Sequence, residues 1–254
     1  MRLLPTSGRK AFEGVAMLSD LSVPGSCGYF ADELHLPRTA KHELFEFITS
    51  ELPRWRDHPQ RSADQAETVL TNALCSHLNT AARYSVGWSR IQFLPEEPDE
   101  VVKGRKVDFA PKPLGATIVI EGRRHTQFDK LFPIECKRLP TPSGQGRDPR
   151  EYVIVDGGTT GGIQRFKDGL HGASHSFGGM IAFVQEGACD HWLCSINEWI
   201  TELAQQEASR WTTQDELRLV NSDEVLGVFT YCSTHGRKPA QGIIELRHSW
   251  IKMH

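Results

Sequence analysis

The sequence predicts an α/β fold: a mixed central β-sheet flanked by helices, with an N-terminal extension and a C-terminal β-hairpin. Three observations predict it. Segments 41–52 and 62–83 carry apolar residues at helical spacing. Between 88 and 137, four short β-like runs are separated by Pro and Gly. A continuous apolar run at 178–184 then lies between two further helical patterns, as a buried strand does.

Length and composition set the frame. A chain of 254 residues suits one large domain with appendages, here an extension over 1–58 with one helix and a main domain over 59–254. Its 39% hydrophobic and 24% charged residues are those of a globular chain. No run approaches the ~18 apolar residues of a membrane span. The first ten residues lack the apolar stretch of a signal peptide, so a cytoplasmic location is expected. Six scattered cysteines read as reduced thiols. Cys189, His191, Cys194, Cys232 and His235 are zinc-ligand residue types, but their spacing matches no standard zinc pattern.

Residues 1–40 hold Pro, Gly and Ser throughout and have no sustained period. Leu44, Phe45, Phe47, Ile48 and Leu52 predict a helix that Pro53 ends. Ala66, Val69, Leu70, Ala73, Leu74 and Leu78 share one arc of a helix over 62–83. Glu67, at the edge of that arc, has two readings. It is the third helical residue of a capping box begun by Asp64, or an acid facing inward.

Strands are expected at 88–94, 106–110, 116–121 and 131–137, then a flexible loop over 140–146. Four glycines in 157–162 lead into a helix whose Gln164 and Arg165 are donors suited to phosphate. That loop matches neither common nucleotide-binding pattern. His171 and His175 read as loop residues beside a site, because no nucleophile elbow surrounds Ser174. A strand at 178–184, a helix at 197–210 and strands at 225–231 and 242–246 complete the chain.

The stretch 132–139 concentrates the chemistry. Phe132 and Ile134 alternate with Pro133 and Glu135, so Glu135 and Lys137 emerge on one face of a strand. A carboxylate can hold a hard divalent cation, and a neighbouring lysine can orient a water as the ammonium or deprotonate it as the free amine. Alone, the pair also reads as an edge-strand ion pair. A second acid, Asp108, lies upstream on another β-like run. Residues 101–150 hold 11 Lys or Arg against 5 Asp or Glu in a chain of net charge −3, and a local basic surplus draws in a polyanion.

Asp108 followed by Glu135-Cys136-Lys137 resembles the motif of the PD-(D/E)xK, or restriction-endonuclease-like, nuclease superfamily. The order of an acid-bearing helix, a β-meander, a helix and another strand resembles that superfamily's core over roughly residues 60–185. The resemblance implies metal binding by Asp108, Glu135, the Cys136 main-chain carbonyl and Glu67, with Asp108, Glu135 and Lys137 catalytic. It implies Mg2+ or Mn2+ as cofactor, and a DNA endonuclease such as those of prokaryotic anti-phage defence or restriction. Double-stranded DNA is then the expected partner, contacted by Gln164, Arg165 and Arg138, with a second copy or a partner subunit choosing targets. The alternative is a non-catalytic module that binds nucleic acid or a partner on a decayed nuclease fold. The sequence departs from the pattern twice. No proline precedes Asp108, and the 27 residues from Asp108 to Glu135 require the 116–121 strand as an insertion. Asp129 competes as the first acid.

Overall fold

The computed structural model describes residues 40–101, 103–115, 117–144 and 146–254. The irregular reading of residues 1–39 lies outside them. The fold is α/β, a mixed seven-stranded sheet with helices on both faces.

Helix α1 (Ala40–Arg56) and helix α2 (Glu67–Tyr84) come first. Leu44, Phe45, Ile48, Leu52 and Trp55 line the buried stripe of α1. Pro53 does not end it: the Asp57 amide still donates to the Pro53 carbonyl at 2.9 Å, and the ring is buried. A proline near a C-terminus removes one hydrogen bond, which this packing offsets. In α2, Leu70, Leu74, Leu78 and Ala82 form an i, i+4 stripe.

Strands β1 (Ile91–Pro98), β2 (Lys106–Pro113) and β5 (Ile134–Leu139) form an antiparallel meander. The Pro-bearing β1 is an edge strand, where proline is tolerated. Between β2 and β5, β3 (Ile118–Ile120) and β4 (Arg123–His125) form a separate two-stranded ribbon. Helix α3 (Gly162–Lys167) then leads to β6 (Phe177–Val184), which runs parallel to β5 and is buried at every residue. Helix α4 (Cys189–Ala204) begins and ends earlier than the sequence reading expected. Cys189, Ile196, Ile200 and Leu203 make its buried stripe, and the residues after it lie in turns.

The chain closes with β7 (Arg218–Asp223), β8 (Val228–Gly236) and β9 (Ile243–Lys252). The expected hairpin is β8–β9, but β9 also pairs in parallel with β6, and β7 adds a second edge. The sheet order is β1-β2-β5-β6-β9-β8-β7. One apolar core lies between the sheet and α1 and α2, the other between the sheet and α3 and α4. Among the described residues, no helix is long and apolar enough to cross a membrane.

Candidate active site

The site lies where β2, β5, α2 and α3 converge. Side chains alternate along β5: Ile134 and Cys136 enter the core under α1 and α2, and Glu135 and Lys137 face the other way. Phe109 pairs with Ile134 in antiparallel register, so one step along Asp108 lies opposite Glu135. The ladder stops there. Asp108 Oδ2, not a β2 carbonyl, accepts the Cys136 amide at 2.6 Å.

Lys137 is the centre of a charge cluster. Its Nζ lies 3.0 Å from Glu135 Oε1, 3.3 Å from Glu67 Oε1 and 3.9 Å from Glu151 Oε1. Glu135 is fully buried, and its Oε1 also accepts a hydrogen bond from the Arg165 guanidinium of α3. Its Oε2 is buried without a partner. Burial alone would lower the Lys137 pKa, but Glu135, Glu67 and Asp108 raise it further, so the amine stays protonated. Burial alone would raise Glu135, but Lys137 and Arg165 hold it ionised, below its ordinary value. Asp108 is pushed up to about 7 by burial and then by the Glu135 carboxylate. His171 is buried, neutral and pushed down to about 4, chiefly by burial.

Glu67 belongs to this cluster and not to a capping box. The N-cap is Ala66, which has no side-chain cap, and Asp64 Oδ1 accepts the Ala66 amide at 2.8 Å, ahead of the helix. As the first helical residue, Glu67 points its carboxylate at Lys137. Arg165 also joins the cluster, through Glu135. Gln164 does not: its Oε1 accepts the Val155 and Gly161 amides and its Nε2 donates to the Gly158 carbonyl, so it braces its own loop. Arg138 donates to the Gln65 carbonyl at 3.3 Å, just ahead of α2. Asp129 stands apart, holding a turn through the Thr126 amide at 2.7 Å.

Two site residues escaped the sequence reading. Glu151 sits in a turn without periodicity, and its only signal was the i, i+4 pairing with Arg147. His171 was read only as a loop residue, and its burial was not legible. Ser174 and His175 pair with Glu100 outside the cluster. Of the zinc-type residues, Cys194 is exposed and His235 is fully buried.

A hard cation suits Asp108 and Glu135. Both offer oxygen, Glu135 Oε2 lacks a partner, and Asp108 is raised by a like charge that a cation between them would offset. Among the described residues, no three His, Cys, Asp or Glu side chains form a group able to hold a metal. Mg2+ needs less, since one or two carboxylates with water and substrate phosphate commonly hold it.

Comparison with protein-family models, curated proteins and solved structures found no match. The functional reading therefore rests on this geometry.

Proposed function

We propose that the protein is a Mg2+- or Mn2+-dependent nuclease that hydrolyses phosphodiester bonds, a DNA endonuclease with a restriction-endonuclease-like core. The observation that carries this reading is the buried Lys137 ammonium of β5 between Glu135 of the same strand and Glu67 of α2, with Asp108 of the neighbouring β2 held beside them on the Cys136 amide. The element order supports it: an acid-bearing helix, an antiparallel meander, a helix, then a strand parallel to the last of the meander.

Asp108 and Glu135 would hold the ion, with the Cys136 carbonyl beside them. When bound, the ion offsets charge on the scissile phosphate and lowers the pKa of the attacking water. Lys137, an ammonium held among these carboxylates, orients that water or donates to the phosphoryl oxygens as charge builds on them. It does not serve as the base. Arg165, held by α3 on the Glu135 carboxylate, is the second donor for the phosphate through the guanidinium N–H groups that Glu135 does not take. Attack adds a hydroxyl to phosphorus and breaks one ester P–O bond, and the leaving oxygen takes a proton.

A second reading is a non-catalytic nucleic-acid-binding module. Arg165 and Lys137 both pair with Glu135, and a carboxylate so neutralised suits binding to a phosphate backbone without a metal.

One experiment separates the two. The purified chain is incubated with supercoiled plasmid in Mg2+, in Mn2+ and in chelator. Cleavage only with the divalent ions, reduced about 100-fold or more in Lys137→Ala, is the expected outcome. Undiminished cleavage by that variant, or binding without cleavage, rejects the nuclease assignment.

A further inference from the structure

On the sheet face covered by α3 and α4, six polar side chains form one hydrogen-bonded chain through an apolar core. Lys167 Nζ donates to both oxygens of Asp215, at 2.8 and 3.0 Å. Asp215 Oδ1 is 2.7 Å from His235 Nδ1, and Ser233 Oγ is 2.7 Å from His235 Nε2. Ser233 Oγ is also 2.7 Å from His248 Nε2, and His248 Nδ1 is 2.8 Å from the Tyr152 hydroxyl. All six residues are buried.

Only one arrangement of protons satisfies every link with both imidazoles neutral. Trp250 Nε1–H donates to the Tyr152 oxygen at 2.9 Å, which directs the Tyr152 hydroxyl proton to His248 Nδ1. His248 then donates from Nε2 to Ser233, Ser233 donates to His235 Nε2, and His235 donates from Nδ1 to Asp215. Asp215, His235 and Ser233 follow the order of an acyl-transfer triad. Ser233 is not a nucleophile, however: its hydroxyl is buried and held by an imidazole on either side.

Both ends of this chain adjoin the candidate site. Tyr152 follows Glu151, which reaches Lys137, and Lys167 lies two residues after Arg165, which reaches Glu135. The Tyr152 turn also receives the start of α3 through the Gly162 amide on the Glu151 carbonyl at 2.9 Å and the Ile163 amide on the Tyr152 carbonyl at 3.1 Å. Helix α3 is too short to hold a position unaided. We infer that this buried chain is a positioning device, fixing α3 at both ends so that Arg165 and Glu151 sit on the Glu135–Lys137 pair. The inference rests on the reading of that cluster as the active site, and makes Tyr152, Ser233 and Asp215 positioning residues that touch no substrate.

The test follows the Arg165 Nε–H, which is buried and so exchanges slowly with solvent. It is observed by nuclear magnetic resonance and assigned with Arg165→Lys. Ser233→Ala and Tyr152→Phe each remove one oxygen from the chain. Either is expected to speed exchange at Arg165 about tenfold or more, as local opening of α3 becomes easier. Leu203→Ala, a truncation in the same core but outside the chain, is the control for lost stability. Unchanged exchange in both chain variants, or equal acceleration in the control, overturns the inference. Cleavage is the second readout, with kcat reduced about tenfold and KM unchanged in the chain variants. A wild-type protein without cleavage rejects the nuclease reading, and exchange alone then decides whether the chain positions Arg165.

Discussion

His235 and His248 each carry a single ring proton committed to a buried partner, so a second proton on either ring would displace the hydrogen bond that its other nitrogen accepts. Burial lowers the pKa of both, and the Asp215 carboxylate only partly offsets this for His235. The unfolded chain, with ordinary histidines near 6.5, therefore binds protons that the folded chain refuses. Stability contributed by these residues is complete above pH 6.5 and is lost as pH falls towards their folded values. The expected slope is about 1.4 kcal/mol per pH unit for each histidine. Urea unfolding between pH 7.5 and 5 checks it, and His248→Gln should remove one proton's share of the slope. An equal slope in that variant would place the acid sensitivity elsewhere. At this scale the sequence shows what local alternation controls. Glu135 and Lys137 share a face because a strand dictates it. The buried chain was not legible, because Asp215, Ser233, His235 and His248 meet Tyr152 and Lys167 only through sheet pairing and long-range packing.

Helix α3 shows how an element of six residues is held where its side chain is needed. Gly161 precedes it with the backbone against Ile154, and a Cβ at that position would overlap the Ile154 main chain. A Cβ at Gly162 would lie 2.7 Å from the Tyr152 carbonyl oxygen and 2.7 Å from Met180 Cε. Main chain cannot yield as a flexible side chain does. Gly161→Ala should therefore cost about 1–3 kcal/mol or more and displace Arg165 from Glu135. Thermal unfolding measures the first, and a crystal structure of the variant the second. An unshifted melting temperature would show that the 152–161 turn adapts freely. The apolar period that revealed α1 and α2 in the sequence is a property of long amphipathic elements. It overstated the effect of Pro53 and missed the start of α4, whose first turn, Cys189-Asp190-His191-Trp192, mixes polar and apolar residues. The edge strand β7 is exposed over nearly its whole length, so no buried stripe marked it.

Charge decides what the molecule as a whole can hold. With a net charge of −3, it does not attract a polyanion uniformly, and the basic surplus is confined to 101–150. Within that window many cations are already paired: Lys106 with Glu96, Lys112 with Glu97, Arg147 with Glu151 and Arg150 with Asp148. Arg123 and Arg124, on the ribbon between β2 and β5, are exposed and make no salt bridge among the described residues. They are exposed cations that an approaching phosphate backbone could meet without breaking a salt bridge. Phosphates carry no base sequence, and reading bases directly takes a helix or ribbon that sets several side chains in a groove. The described helices are taken up by the two cores and α3 by the site, which leaves the β3–β4 ribbon, tipped by Glu121 and Gly122, with little to read with. DNA binding should therefore vary little between unrelated duplexes and weaken steeply with salt, by about 0.9 in the log–log slope for each phosphate contacted. Arg123→Glu with Arg124→Glu should lower that slope by about two and leave the distribution of cut ends unchanged. Titration of labelled duplexes from low to physiological salt measures the slope, and sequencing of the digested ends measures the distribution. An unaltered slope would move the DNA-binding surface off the ribbon, and one recurrent cut sequence would reveal a base-reading element elsewhere in the chain.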